Sequence, residues 1–109
     1  MSTEKRPIGL TGREIFPIGL GCMGMSEFYG PTDEAESLRT LKAAFDAGVE
    51  TFDTADIYSF GENERLLGRF LRGRRDRVHL ASKFGIVRKP GSYERRIDNS
   101  PEYIRAACE

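Results

Sequence analysis

The chain has 109 residues, enough for one small domain and too few for two. Lys plus Arg and Asp plus Glu both number 17, so the formal net charge is zero and there is no electrostatic footprint for nucleic acid or an anionic membrane surface. Cys22 and Cys108 are the only cysteines, and no apolar run of signal or membrane length follows Met1. Both features argue for a reducing, cytoplasmic setting without a disulfide framework, and no metal site is expected.

Ile8 to Leu10 and Glu14 to Phe16 flank Thr11-Gly-Arg13, a glycine-containing three-residue loop that predicts a small hairpin. Pro17 to Gly21 is a short buried strand, and Gly24 to Pro31 is loop. Asp33-Glu-Ala-Glu36 is a helix start, with a capping carboxylate and a Glu three residues on. Leu38, Leu41 and Phe45 then mark one buried face, and Ala47-Gly48 supplies the stop. Val49 to Phe52 is the next strand. Asn63 is placed to cap a second helix, whose buried stripe is Leu66, Leu67, Phe70 and Leu71. The Arg-rich stretch Arg72 to Arg77 reads as a solvated connection to a third strand, Val78 to Ser82. Arg88 to Asn99 is a polar loop. Ser100-Pro101 opens a last helix, Ser as cap and Pro at the first helical position. Strands alternating with helices of this length imply βαβ units and a parallel sheet.

Gly19-Leu-Gly21-Cys-Met-Gly24 matches G-x-G-x-x-G literally. A dinucleotide-binding turn must open directly into a helix whose N-terminal amides hold the pyrophosphate. Here the helix cap comes only at Asp33, nine residues past Gly24. A Rossmann-type module is therefore the alternative reading, and the leading one is that these glycines let a strand end approach something closely.

Asp53, Tyr58 and Lys83 carry the chemistry. Asp53 and Lys83 lie just past the second and third strands, on the same side of a parallel sheet whose neighbouring strands are about 4.8 Å apart. Tyr58 follows in the loop above that edge, the side on which α/β sheets and barrels bind ligands. A phenol titrates near 10, and bringing it near neutrality takes about 4 kcal/mol. One ammonium about 4 Å away, at an effective dielectric of about 20, supplies on the order of 4 kcal/mol. Lys83 is thus sufficient to make Tyr58 a general acid, with Asp53 holding the ammonium in place.

Three segments resemble the signature segments of the aldo-keto reductases: Gly48-Val-Glu-Thr-Phe-Asp-Thr-Ala-Asp-Ile-Tyr58, Gly61-Glu-Asn-Glu-Arg-Leu-Leu-Gly68 and Ala81-Ser-Lys-Phe-Gly85. Gly19 to Ser26 is similar to the first barrel strand and loop of the bacterial and plant branch of that family, and Ser100 to Glu109 to the start of its third barrel helix. The resemblance implies an α/β fold, the N-terminal part of a (β/α)8 TIM barrel, with an N-terminal hairpin and about three β/α units. It implies NADPH-dependent reduction of a small-molecule aldehyde or ketone to an alcohol. Tyr58 would be the general acid, assisted by Lys83 and Asp53, while Gly21, Cys22, Met23 and Asp53 would lie against the cofactor. The family's catalytic His falls at the end of the fourth strand, beyond Glu109, and His79 is not that residue.

A (β/α)8 barrel typically needs about 250 residues. Residues 1–109 are accordingly read as an incomplete domain. Unpaired strand edges are expected to favour self-association, and the chain is expected to be weakly active or inactive alone. An interaction fragment without catalysis is the further alternative.

Overall fold

The computed structural model describes residues 4–26 and 32–109. The later part of the expected loop, from residue 27 through Pro31, lies outside the described residues. The chain opens with an antiparallel pair, β1 (Arg6–Pro7) and β2 (Glu14–Ile15). The first strand ends farther from Thr11-Gly-Arg13 than the loop signal predicts, at Pro7 rather than Leu10, whereas the second starts at Glu14 as expected. The connection is a six-residue turn, residues 8–13, closed by Ile8 N–H donating to Arg13 O at 2.8 Å and by the Thr11 hydroxyl donating to Ile8 O at 2.7 Å.

The main sheet has three parallel strands, β3 (Gly19–Gly21), β4 (Thr51–Asp53) and β5 (His79–Ala81), in spatial order β3-β4-β5. Gly21 pairs with Asp53, and Asp53 with Ala81. Each strand is three residues long, shorter than the apolar runs suggest. The helices α1 (Glu34–Asp46), α2 (Glu62–Phe70) and α3 (Pro101–Cys108) follow β3, β4 and β5 in turn.

Local signals explain where these helices begin. One Asp33 carboxylate oxygen accepts from the N–H groups of Ala35 (2.9 Å) and Glu36 (3.3 Å), satisfying donors that an uncapped helix leaves open. Ser100 Oγ accepts from Tyr103 N–H, with Pro101 at the first helical position. After α1 the chain turns at Gly48, whose φ is +109°. A Cβ there would also lie 3.2 Å from the Phe16 ring, so glycine is needed both for the turn and for seating the hairpin.

The core forms where α1 and α2 cover one side of the sheet. Leu41, Phe52, Leu67, Val78 and Cys22 are fully buried, and Leu66, Phe70 and Leu71 complete the cluster. Phe70 meets Phe45 edge-on at 6.1 Å and Phe52 at 5.3 Å. Each such large apolar side chain contributes roughly 1.5–3 kcal/mol by leaving water. The arginines after α2 serve the same packing. Arg74 lies 4.9 Å from the Phe70 ring centre and donates to Phe70 O, and Arg77 lies 5.2 Å from the Phe45 ring centre and donates to Gly73 O. They close the end of α2 and cover rings.

Three sequence expectations require correction. The strand at Pro17 to Gly21 is not buried: Gly19 and Gly21 are exposed and Leu20 is half-buried, because β3 is an edge strand of the sheet with a partner on one side only among the described residues. Asn63 is not a cap. Helix α2 begins at Glu62 behind Gly61, and Asn63, fully buried, points into the protein. The stretch Arg88 to Asn99 is not all loop. Arg96–Ile97 (β7) returns to pair antiparallel with Ile86–Val87 (β6), a ribbon too short for its alternation to stand out among the surrounding charges. Asp98 N–H donates to Gly85 O at 2.9 Å and secures its base.

Candidate active site

The C-terminal ends of β3, β4 and β5 are bound to one another beyond the strands themselves. Cys22 N–H donates to Asp53 O (2.9 Å), Thr54 N–H to Ala81 O (2.8 Å) and Asp56 N–H to Lys83 O (3.1 Å). This continuation brings Asp53, Thr54 and Lys83 together. Lys83 Nζ lies 2.8 Å from Asp53 Oδ2, donates to Thr54 O at 2.6 Å, and stands 5.0 Å from the centre of the Tyr58 ring. The three residues singled out from the sequence therefore converge. Asp53 is the last residue of β4 rather than the first beyond it.

The side chains of Lys83 and Asp53 are 48% and 46% exposed, so their pairing adds little stability, of order 0–1 kcal/mol. Its consequence is positional. Burial works against the Lys83 charge, but the hydrogen bond to Asp53 and the interaction with Tyr58 outweigh it and hold the ammonium above its ordinary pKa. Lys83 thus stays charged, fixed between a carboxylate, a carbonyl and a phenol.

Tyr58 is presented by an unusual turn. In Tyr58–Gly61, Ser59 (φ 49°, ψ 38°) and Phe60 (φ 53°, ψ 50°) both adopt the left-handed region, and Gly61 follows at φ 92°. Two consecutive non-glycine residues there cost of order 1–2 kcal/mol each. Such strain persists only where the surroundings impose it. Helix α2 starts directly after the turn, and the Arg88 guanidinium stacks 4.9 Å from the Phe60 ring centre.

Beside Tyr58 and Lys83 is a cavity of about 200 Å³. Met23, Ala55, Ile57, Phe84 and Ile86 form its apolar wall, and Asp56, Arg88 and Arg95 complete the polar part. Burial first, and then the charge of Glu64, push the Asp56 carboxyl above its ordinary value. Of the residues expected at the cofactor, Met23 lines this cavity. Gly21 and Cys22 adjoin Asp53 through the backbone but do not line it, and the Cys22 side chain is buried in the core. Burial raises the Cys22 thiol to about 11, against a lowering by its hydrogen bond with Asp53. His79 is half-buried in β5, away from the lining.

Sequence reasoning missed two parts of this region. Asn63 Nδ2 donates to Cys22 O (2.7 Å) and to Ser26 Oγ (2.8 Å), while the Thr54 hydroxyl donates to Asn63 Oδ1. One buried amide therefore ties the strand-end loops of β3 and β4 to α2. A polar residue that breaks an apolar helical face was the available signal. The other part is Arg88 and Arg95, which the ribbon β6–β7 brings to the cavity. Their place depends on a strand pairing that two-residue strands do not advertise. Among the described residues, no three His, Cys, Asp or Glu side chains converge to hold a metal, and no helix is long and apolar enough to cross a membrane.

Residues 17–109 match the sequence profile of the aldo/keto reductase family. An NADP(+) aldo-keto reductase of Schizosaccharomyces pombe is 39% identical over 111 residues, covering 100% of this chain and 32% of that protein. Among solved structures, the holo form of an aldo-keto reductase from Bacillus halodurans aligns with a TM-score of 0.83 at 33% identity, covering 97% of this chain and 34% of the other. An aldo-keto reductase from Klebsiella pneumoniae, solved in complex with NADPH, aligns with a TM-score of 0.58 at 37% identity over 65% of this chain and 24% of its own. The chain thus spans about a third or less of the length of these relatives. Its hairpin and three β/α units are the N-terminal part of a (β/α)8 barrel. No helix opens at Gly24. A single tight turn, Met23–Met25, stands there instead, so the Rossmann alternative lacks its defining element.

Proposed function

The chain belongs to the aldo/keto reductase family, and on that premise we propose that it carries the proton-donating half of an NADPH-dependent reduction of aldehydes or ketones. The observation that carries this reading is the fixed Lys83 ammonium, 2.8 Å from Asp53 and 5.0 Å from the Tyr58 ring centre, at the edge of a largely apolar cavity.

The cavity's volume of about 200 Å³ suits a single small ring beside a carbonyl group and falls short of a whole dinucleotide. The residues present thus fit the nicotinamide end: Met23 would line it, while Gly21, Cys22 and Asp53 would back that wall from the strand ends without reaching the cavity themselves. When bound, NADPH supplies the hydride that adds to the carbonyl carbon. Tyr58 gives its hydroxyl proton to the carbonyl oxygen, yielding the alcohol. Lys83 stabilises the phenolate as it forms, and Asp53 with Thr54 O keeps the ammonium from swinging away. Because Lys83 is positioned before substrate arrives, little reorganisation is needed at the moment of proton transfer. The free thiols of Cys22 and Cys108 suit a reducing, cytoplasmic setting.

The test is NADPH oxidation by the purified chain with an aromatic aldehyde, alongside Tyr58→Phe. A general acid is worth about 10²–10⁴ in rate, and Tyr58→Phe should lose that much. Turnover unchanged by the substitution would remove Tyr58 from the role.

A further inference from the structure

Lys83 has two acceptors, and they are held by different means. The Asp53 side chain closes strand β4 and is half exposed. Thr54 O, 2.6 Å from Nζ, lies between two backbone bonds that join the strand ends, Thr54 N–H to Ala81 O and Asp56 N–H to Lys83 O. Neither bond involves the peptide that carries Thr54 O. Between them Thr54 is anchored by its side chain. The residue is 1% exposed, and its hydroxyl donates to Asn63 Oδ1. Asn63, on helix α2, is fully buried and gives its amide hydrogens to Cys22 O and Ser26 Oγ. Cys22 O can only accept, so the amide cannot flip, and the Thr54 hydroxyl must be the donor to it. A β-branched side chain is stiff at its first torsion, so fixing this hydroxyl also fixes the Thr54 backbone.

Neither Thr54 nor Asn63 lines the cavity. Resting on the reductase reading, we propose that Asn63 and the Thr54 hydroxyl are positioning residues: from helix α2 they aim Thr54 O at Lys83 Nζ and so hold the ammonium beside Tyr58. Groups that hold a reacting centre need such support, because a side chain with exposed partners alone can swing. A buried and fully hydrogen-bonded network supplies it.

The test reads Lys83 directly. The 109-residue chain is acylated with a trace of an amine reagent. Peptide mass spectrometry gives the rate at Lys83 relative to Lys42, whose ion pair with Asp46 on α1 lies outside this network. Thr54→Val keeps the shape and removes the hydroxyl. It should raise the relative rate at Lys83 several-fold, up to about tenfold, the weight of one hydrogen bond to a charged group. Thr54→Ser keeps the hydroxyl and should stay within about twofold of the parent. Leu41→Ala opens a core cavity but removes none of these bonds, so it should lower stability and leave the ratio alone. All are compared at a temperature where circular dichroism shows them folded.

If Thr54→Val does not fold, Ser26→Ala decides, since it takes one partner from the amide and leaves Thr54 intact. It should raise the ratio about twofold or more. A ratio unchanged in the deciding variant, or raised equally by Leu41→Ala, overturns the proposal. So does a Thr54→Ser chain that labels like Thr54→Val. Failure of the reductase reading is separately visible. The expected labelling pattern with no NADPH oxidation by the parent chain counts against the chemistry assigned to Tyr58, not against the positioning of Lys83.

Discussion

The Asn63 side-chain amide donates to the Cys22 carbonyl at 2.7 Å, across 41 residues of sequence, so helix α2 holds the end of strand β3 directly. The same amide group accepts from Thr54 beyond β4 and donates to Ser26. One buried residue therefore adds a helix-borne tie to two strand ends that their own pairing and the Cys22 N–H to Asp53 O bond already join.

Asn63→Leu should strip three partners at once and leave Thr54 Oγ1 and Cys22 O short of a hydrogen bond in the interior. Each buried group so stranded costs about 1–3 kcal/mol, and a loss of about 2 kcal/mol or more is expected in urea unfolding followed by circular dichroism. Asn63→Asp should be worse, because it removes the donors and buries a charge. A midpoint shift near zero for both variants would show that the amide is incidental to the fold.

Alkaline pH should destabilise the chain. Cys22, pushed up to about 11 mainly by burial, stays protonated in the folded protein while an unfolded thiol ionises from its ordinary value of 9.0. The folded state then holds more protons, and stability falls as pH climbs through that interval. Lys83 acts with the same sign. Its folded pKa is raised, so its contribution is present below the ordinary lysine value of 10.5 and is lost as pH rises through the folded one. Cys22→Ser should flatten the earlier part of the decline. In native protein an alkylating agent should modify exposed Cys108 and spare Cys22 until denaturant is added, as read by peptide mass spectrometry.

The left-handed turn after Tyr58 predicts opposite effects from two substitutions at one position. Ser59→Gly removes a strain of order 1 kcal/mol and should stabilise the chain by somewhat less, since glycine also frees the unfolded state. Ser59→Val, β-branched at φ 49°, should destabilise by about 1–2 kcal/mol. Thermal melts of the two variants check the sign, and melts displaced in the same direction would contradict the strain assigned to this turn.

Among the described residues β3 and β5 each pair on one side only. Unpaired strand edges recruit other strands, so sedimentation velocity should show an average mass rising with concentration. A single monomeric boundary at every concentration would argue that these edges are protected.

Much of this architecture could be read locally. Asp33 and Ser100-Pro101 announce their helices because capping is chemistry within three residues. Leu66, Leu67 and Phe70 mark a buried face because helical periodicity brings them together whatever lies opposite. Convergence of Asp53 with Lys83 followed from one further step, that parallel neighbours present their ends on the same side. Asn63 and the ribbon β6–β7 were misread for the same reason: a side chain that bonds across 41 residues, or a strand of two residues, leaves almost no trace in its immediate neighbours.

From the sequence alone came the order of the hairpin, the three parallel strands and the three helices, the family resemblance and the trio Asp53, Tyr58 and Lys83. All of these rest on periodicity, capping and short contiguous segments. The tertiary structure decided which way side chains turn and what meets at a distance. Cys22 faces the core, Ser59 and Phe60 take left-handed geometry, and Arg88 stacks on Phe60 while lining the cavity with Arg95. Those outcomes depend on packing between segments far apart in the chain, where the cost of one strained turn or one exposed charge is settled against the gain of the whole arrangement.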